Sequence, residues 1–315
     1  MIFLPLKDRE NPPARLLVGG ALRQIERAVI NLDGKEYNAT YYPDTPIIEL
    51  LRACSIHKLQ LQPGDRPKCN YCESQLEHGL TLQVEHYRPK AKVEAGVNDN
   101  IELPGYYWLG LEWTNLLLAC PKCNGKDAKG NHFPIRGVRA VAINPILRGP
   151  RGQISLDRSQ TKAHAQPLSA ELPILLNPEI DHPEDFLTFD LYANISGHGP
   201  NAERGNVSRD RYKLNRNLLV AERLDVWKAF KKRIEVDIAG FELGVHNDAG
   251  LQYLFKVTCR ELLERKSLEK EFTLWGRYIN DNIVDFINVY VAPDYQDRFN
   301  QAYDEVVAEQ QLIPA

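Results

Sequence analysis

Two Cys-x-x-Cys pairs, Cys69/Cys72 in "CNYC" and Cys120/Cys123 in "CPKC", constrain this chain more than any other feature. Each pair presents two thiolates to one ion, and two pairs supply the four ligands of a tetrahedral zinc site. The fold must therefore bring the two pairs together although 47 residues lie between them. That gap is too long for a compact zinc ribbon, so something else is housed inside it. Size alone does not demand a metal staple, because 315 residues can bury a hydrophobic core without one. Cys54 and Cys259 stand alone and read as small buried apolar residues. A thiol redox role fails on the doubled pair and on the lack of a surrounding βαβ pattern.

No apolar run approaches the roughly 18 residues of a membrane span. The opening "MIFLPLKDRENPP" lacks a basic leader region and a cleavage site; it reads as a first strand, and the chain as cytoplasmic with no membrane partner. A net charge of −3 excludes coating nucleic acid by bulk electrostatics, so any such site must be local. In "RGNVSRDRYKLNRNLL", residues 204 to 219, Arg204, Arg209, Arg211, Lys213 and Arg216 outnumber the single acid Asp210. Both a solvated helix face and a phosphate track would produce that run.

The pattern along the chain predicts an α+β fold in three parts. Residues 1–65 form an N-terminal helical segment, with helices over 14–31, stopped by Asn31 and Gly34, and over 43–59, capped by Asp44 or Thr45 with Pro46 in the first turn. Residues 66–200 hold the cysteines and a loop-rich insertion of short strands over 134–178. Residues 201–315 are helical throughout.

Inside the cysteine gap, "TLQVEHY" alternates as a half-buried strand should, and Pro89 ends it. Glu85 and His86 thus sit at a strand terminus. Neighbours on a regular strand point to opposite faces, so both serve one site only where the pleat breaks. "TNLLLAC" reads as a second strand, and Pro121 suits the first turn of a short helix through "KCNGKDAKG". The cysteines then clamp strand, strand and helix at one end, leaving Glu85, His86, Asn115 and Asn124 to face a common groove. Glu85 and Asn124 offer hard oxygens that would suit Mg²⁺. His78 and His132 lie near the thiolates, but four sulfurs already complete a tetrahedron, so both read as bystanders. Asp181 and His182 in "EIDHPED" read as a turn.

"CNYC", "VEHYRPK", "WTNLLLACPKCN" and the following "GK" together resemble the HNH, or ββα-metal, nucleases. That resemblance implies a zinc-clamped ββα-metal core and metal-dependent hydrolysis of phosphodiester bonds. His86 matches the general base and Glu85 the acid before it that ligands the metal. Asn115 matches the middle asparagine, which holds the His86 region in orientation. Asn124 takes the last position, where many members carry histidine; an amide oxygen there favours Mg²⁺ or Mn²⁺ over tightly held Zn²⁺. Lys126 is placed either to neutralise a phosphate or as a solvated lysine. "HYRPK", "FPI", "PILLNPEIDHPEDFLTF" and "LNRNLLVAER" further resemble the PtuB-type HNH proteins of Septu and retron anti-phage defence, from the N-terminus to about residue 235. This implies a PtuA-type ATPase partner, a hetero-oligomeric complex, and a DNA or RNA substrate gripped by its backbone. A zinc-built nucleic-acid- or partner-binding module without catalysis is the competing reading. A degenerate site should have lost its acid, base or metal ligand, and all are present.

Overall fold

Four consecutive apolar residues, Leu116–Ala119, form a strand buried along its whole length, and the centre of the chain is assembled on it. In the computed structural model, which describes residues 1–4, 7–37, 51, 67–75, 82–96 and 102–311, this strand is β4. Its antiparallel partner is β1, Gln83–His86, in a register that sets Gln83 opposite Ala119 and His86 opposite Leu116. Between them come β2, Lys92–Glu94, paired antiparallel with β3, Glu102–Pro104, and 3-10 turns at Tyr107–Leu109 and Trp113–Asn115. These elements fill the space between the cysteine pairs. Thr114 and Asn115 lie in a turn rather than in the expected strand, because the Glu112 carboxylate accepts from both the Thr114 amide and its hydroxyl. A short helix, Pro121–Asn124, follows β4 with proline in its first turn.

The described residues divide into two units, one comprising 1–187 with 196–214 and the other 188–195 with 215–315. The first is a mixture of helices and two-stranded sheets. Its helix α1 spans Gly20–Asn31, not 14–31: Gly19 takes a positive φ of 57° and separates it from a 3-10 turn at Ala14–Leu16. Leu32, itself left-handed, closes the helix. The expected helix over 43–59, Cys54 and His78 lie outside the described residues. Residues 1–4 are not the expected strand. Met1, Ile2 and Leu4 are buried, and the Leu4 amide donates to the Pro178 carbonyl, but these residues form no ladder. Burial satisfies such an apolar run without a partner strand. The loop-rich insertion contains the hairpin β5–β6, Ile146–Arg148 with Ile154–Leu156.

The boundary expected at residue 201 falls after Leu214 instead. Helix Ala202–Arg211 is anchored in the first unit, where the Ser208 hydroxyl accepts from the Leu176 amide and the Tyr212 hydroxyl donates to the Leu176 carbonyl. The second unit is helical, as expected, with helices at Asn217–Glu242, Asp248–Glu264, Thr273–Asp281, Ile283–Tyr290 and Pro293–Gln311. Trp227, Phe255, Trp275, Phe286 and Phe299 are fully buried there, and Cys259 lies among the buried residues as its isolation in the sequence suggests. No helix among the described residues is long and apolar enough to cross a membrane.

The most deeply buried ion pair of the first unit joins Arg88 Nε to Glu171 Oε2 at 2.8 Å, with both side chains at most 1% exposed. Glu171→Ala would strand that guanidinium and should cost about 3–5 kcal/mol. Glu203→Ala, which removes an exposed partner of Arg136, should change stability by less than about 1 kcal/mol. Urea denaturation of the two variants side by side measures the contrast.

Candidate functional site

The first cysteine pair is shaped by a tight turn. The Cys69 amide donates to the Ser74 carbonyl, the Glu73 amide to the Cys69 carbonyl, and Glu73 is left-handed with φ 64°. The Asn70 amide donates to the Leu118 carbonyl at 2.9 Å, which stitches this turn to β4. The second pair begins where β4 ends, and the Cys120 amide donates to Cys69 Sγ at 3.3 Å. All four cysteines are buried and in no disulfide, with their sulfurs within 4.8 Å of one another. Cys72 and Cys120 Sγ stand 3.8 Å apart, the sulfur spacing that a tetrahedral zinc with bonds of about 2.3 Å demands. The cluster could therefore hold a metal ion such as zinc.

Burial pushes the Cys69 thiol up, hydrogen bonds among the thiols do the same to Cys123, and the bond with Cys123 pulls Cys120 down. Ionising all four in this apolar setting needs a cation between them. Among the described residues no other group of three or more His, Cys, Asp or Glu side chains is placed to hold a metal. His132 stands apart from the sulfurs as expected, 3.1 Å from Glu94 Oε2 and from Arg211 Nη1.

β1 leaves the cluster and carries Glu85 and His86. The ladder stays regular through His86, so the pleat does not break and the two side chains occupy opposite faces. Glu85 is buried against Lys129, whose ammonium also donates to the His86 carbonyl at 2.6 Å. Burial raises the Glu85 pKa and lowers that of Lys129, each against the pull of the opposite charge. On the other face, His86 is half-buried with Nε2 3.0 Å from the Gly110 carbonyl. A carbonyl only accepts, so Nε2 carries the hydrogen and Nδ1 keeps the lone pair. Burial, reinforced by the Lys90 ammonium, pushes the His86 pKa down to about 3, and the ring is neutral at physiological pH.

Asn115, fully buried, clasps the residue after next. Its Oδ1 accepts from the Arg88 amide at 2.7 Å, and its Nδ2 donates to the Arg88 carbonyl at 3.0 Å and to the Leu109 carbonyl at 3.3 Å. The Tyr87 amide donates to the Asn115 carbonyl. The chain leaving His86 is thereby fixed. Asn124 is turned elsewhere, its Nδ2 donating to Gln83 Oε1 at 3.2 Å. The four residues expected to face one groove are thus not gathered into one. A hard divalent cation needs a cage of oxygens. Here the Glu85 carboxylate is buried against an ammonium, on a face of the strand opposite to His86, so it does not fit Mg²⁺ or Mn²⁺ as it stands.

Lys126 is exposed, and the lysine that reaches the strand is Lys129. Sequence reasoning passed over it because a lysine beside Ala128 and Gly130 carries no mark of burial. The basic run is largely occupied within the unit: Arg204 pairs with Asp181, Arg209 with Asp210, and Arg211 meets His132. Asp181 also accepts from the Asn177 amide, which makes the expected turn, and His182 stacks on Phe3.

Lys129→Met should lower stability by about 3–5 kcal/mol, since it leaves the Glu85 charge buried without its partner. The double variant Glu85→Gln, Lys129→Met should recover most of that loss. Denaturant melts of the single and double variants check both outcomes.

No family model matches the chain, and no solved structure matches it. The chain is 30% identical over 226 residues to Septu protein PtuB of Bacillus mycoides (strain KBAB4), covering 68% of this chain and 69% of that one. Over 100 residues it is 34% identical to Septu protein PtuB of Bacillus thuringiensis, covering 31% of this chain and 32% of that protein. Septu protein PtuA of Bacillus mycoides (strain KBAB4) shares 28% identity over 163 residues, which is 52% of this chain but 20% of PtuA. The similarity to the first of these runs through two thirds of both chains, so this chain belongs to the PtuB family of Septu proteins.

Proposed function

We propose that this chain is a zinc-containing HNH endonuclease, the nuclease subunit of a Septu- or retron-type anti-phage system. In this reading it hydrolyses phosphodiester bonds of DNA or RNA in the cytoplasm, within a hetero-oligomeric complex with a PtuA-type ATPase. The observation that carries the reading is His86. It is a neutral imidazole at the end of a strand held beside four clustered thiols, with Nε2 tied to a carbonyl, so that Nδ1 is the basic nitrogen of the ring. Strand, strand and short helix around the cysteine cluster, in that order, support a ββα-metal core. A segment like this one within the longer PtuA supports a PtuA-type partner.

Zinc is held by Cys69, Cys72, Cys120 and Cys123, and its task is structural, because four protein ligands leave it no open position. His86 Nδ1 takes the proton of a water attacking phosphorus as the bond from phosphorus to the leaving ester oxygen breaks, and that oxygen takes up a proton from solvent. The His86 pKa, low in the free protein, rises when an anionic phosphodiester sits beside the ring, toward the range where a base works best. Asn115 keeps the ring oriented through the Arg88 peptide groups, and exposed Lys126 is a phosphate contact.

The Lys129 ammonium on Glu85 favours a second reading, a zinc-built binding module without catalysis. Both readings are tested with the purified chain, with and without a PtuA-type ATPase, on DNA and RNA pools in Mg²⁺ and in Mn²⁺. Cleavage by the wild type, lowered about 10²- to 10⁴-fold in His86→Ala with fold and zinc content unchanged, supports the nuclease. A wild type that binds nucleic acid or the ATPase but cuts in no arm decides for the module. Elemental analysis should find about one zinc per chain, and Cys69→Ser should lose it together with folding stability.

A further inference from the structure

Directly after His86 the chain passes a cavity of about 320 Å³ that nothing in the proposed chemistry uses. Tyr87 and Arg88 form part of its wall, and all of its lining residues belong to the first unit. Three of the lining side chains have buried polar atoms without a partner: Arg88 Nη1, Asn177 Nδ2 and His164 Nδ1. Arg88 commits Nε to Glu171 and Nη2 to the Leu168 carbonyl, which leaves one arm of its fork over. Asn177 commits its Oδ1 to the Glu179 amide and leaves its two donors over. The two side chains are each 1% exposed. An unpaired buried donor costs about 1–3 kcal/mol, so two such donors on side chains that line one cavity point to an acceptor that a small rotation would bring to them there.

The carboxylate already present is taken. Asp181, the acid in the wall, receives both arms of Arg204 at 2.9 Å and the Asn177 amide at 2.8 Å. Arg136, also in the wall, is held only by exposed Glu203, a pair weak enough to exchange for a ligand. Ser169 adds a hydroxyl, while Leu172, Pro173 and Ile180 supply an apolar side. Donors at one part of the wall and apolar surface at another suit a compact ligand with an oxyanion head and a flat or apolar body. We propose that this cavity binds a phosphate monoester of mononucleotide size, with Arg88 and Asn177 donating to the phosphate and Arg136 joining them. The source is either a free nucleotide or the 5′-phosphorylated end of a strand. The inference does not rest on the nuclease reading.

Isothermal titration of the full chain, zinc retained and no divalent ion added, tests it with four probes: adenosine 5′-monophosphate, adenosine, a 5′-phosphorylated oligonucleotide and its unphosphorylated twin. Saturable binding below about 1 mM by a phosphorylated probe, absent from its unphosphorylated counterpart, is expected. The probe that binds identifies the source. Arg88 is too deeply built in for its substitution to be interpreted, so the variant is Arg136→Ala, which should melt as the wild type does and bind about tenfold more weakly or worse. Binding that ignores the phosphate, that is unchanged in Arg136→Ala, or that is absent for all four probes overturns the proposal.

Discussion

Four sulfurs meeting at one point hold the centre of this protein together. The turn of the first cysteine pair is bonded to β4 through Asn70 and Leu118, β4 is laddered to β1, and the Cys120 amide returns to Cys69 Sγ. The path from the cluster to His86 runs through the backbone bonds that ladder β1 to the wholly buried β4. Two strands of four residues have little stability of their own. A metal held at their base would replace the length they lack and contribute its binding energy directly to the fold.

Behind that strand pair lies a second layer of constraint, made of polar groups. Asn115 clasps the Arg88 peptide, the Arg88 side chain meets Glu171, and Glu171 also accepts from the Tyr106 hydroxyl and the Ala140 amide. A buried network of this kind stabilises only if nearly every member is paired, and then it specifies a single arrangement. The result is a chain fixed by hydrogen bonds to both polar groups of the Arg88 peptide, two residues past His86. The one arm of Arg88 left over is conspicuous because the rest of the network is so fully paired.

Much of this was legible in order and type. Two cysteine pairs named the cluster, alternation and proline named β1 and its end, and Pro121 named the short helix, because each is a local rule of geometry. The C-terminal helices were legible from apolar spacing in the same way. Misreadings came where an apolar run or a helical period met a competing local conformation. The buried N-terminal residues paired with no strand, and Gly19 cut the first helix short.

The sequence by itself determined which residues cluster as metal ligands, the order strand, strand, helix, and the presence of an acid and an imidazole at the end of one strand. Only the tertiary structure decided where those two side chains go. Their alternation fixes that they face opposite ways if the ladder is regular, but the ladder depends on β4, whose paired residues lie thirty or more positions away in sequence. Whether Glu85 meets a metal or an ammonium depends on Lys129, whose burial no local pattern encodes. Pairing partners of buried charges are chosen by long-range packing and desolvation, and a pattern of neighbours along the chain carries no record of either.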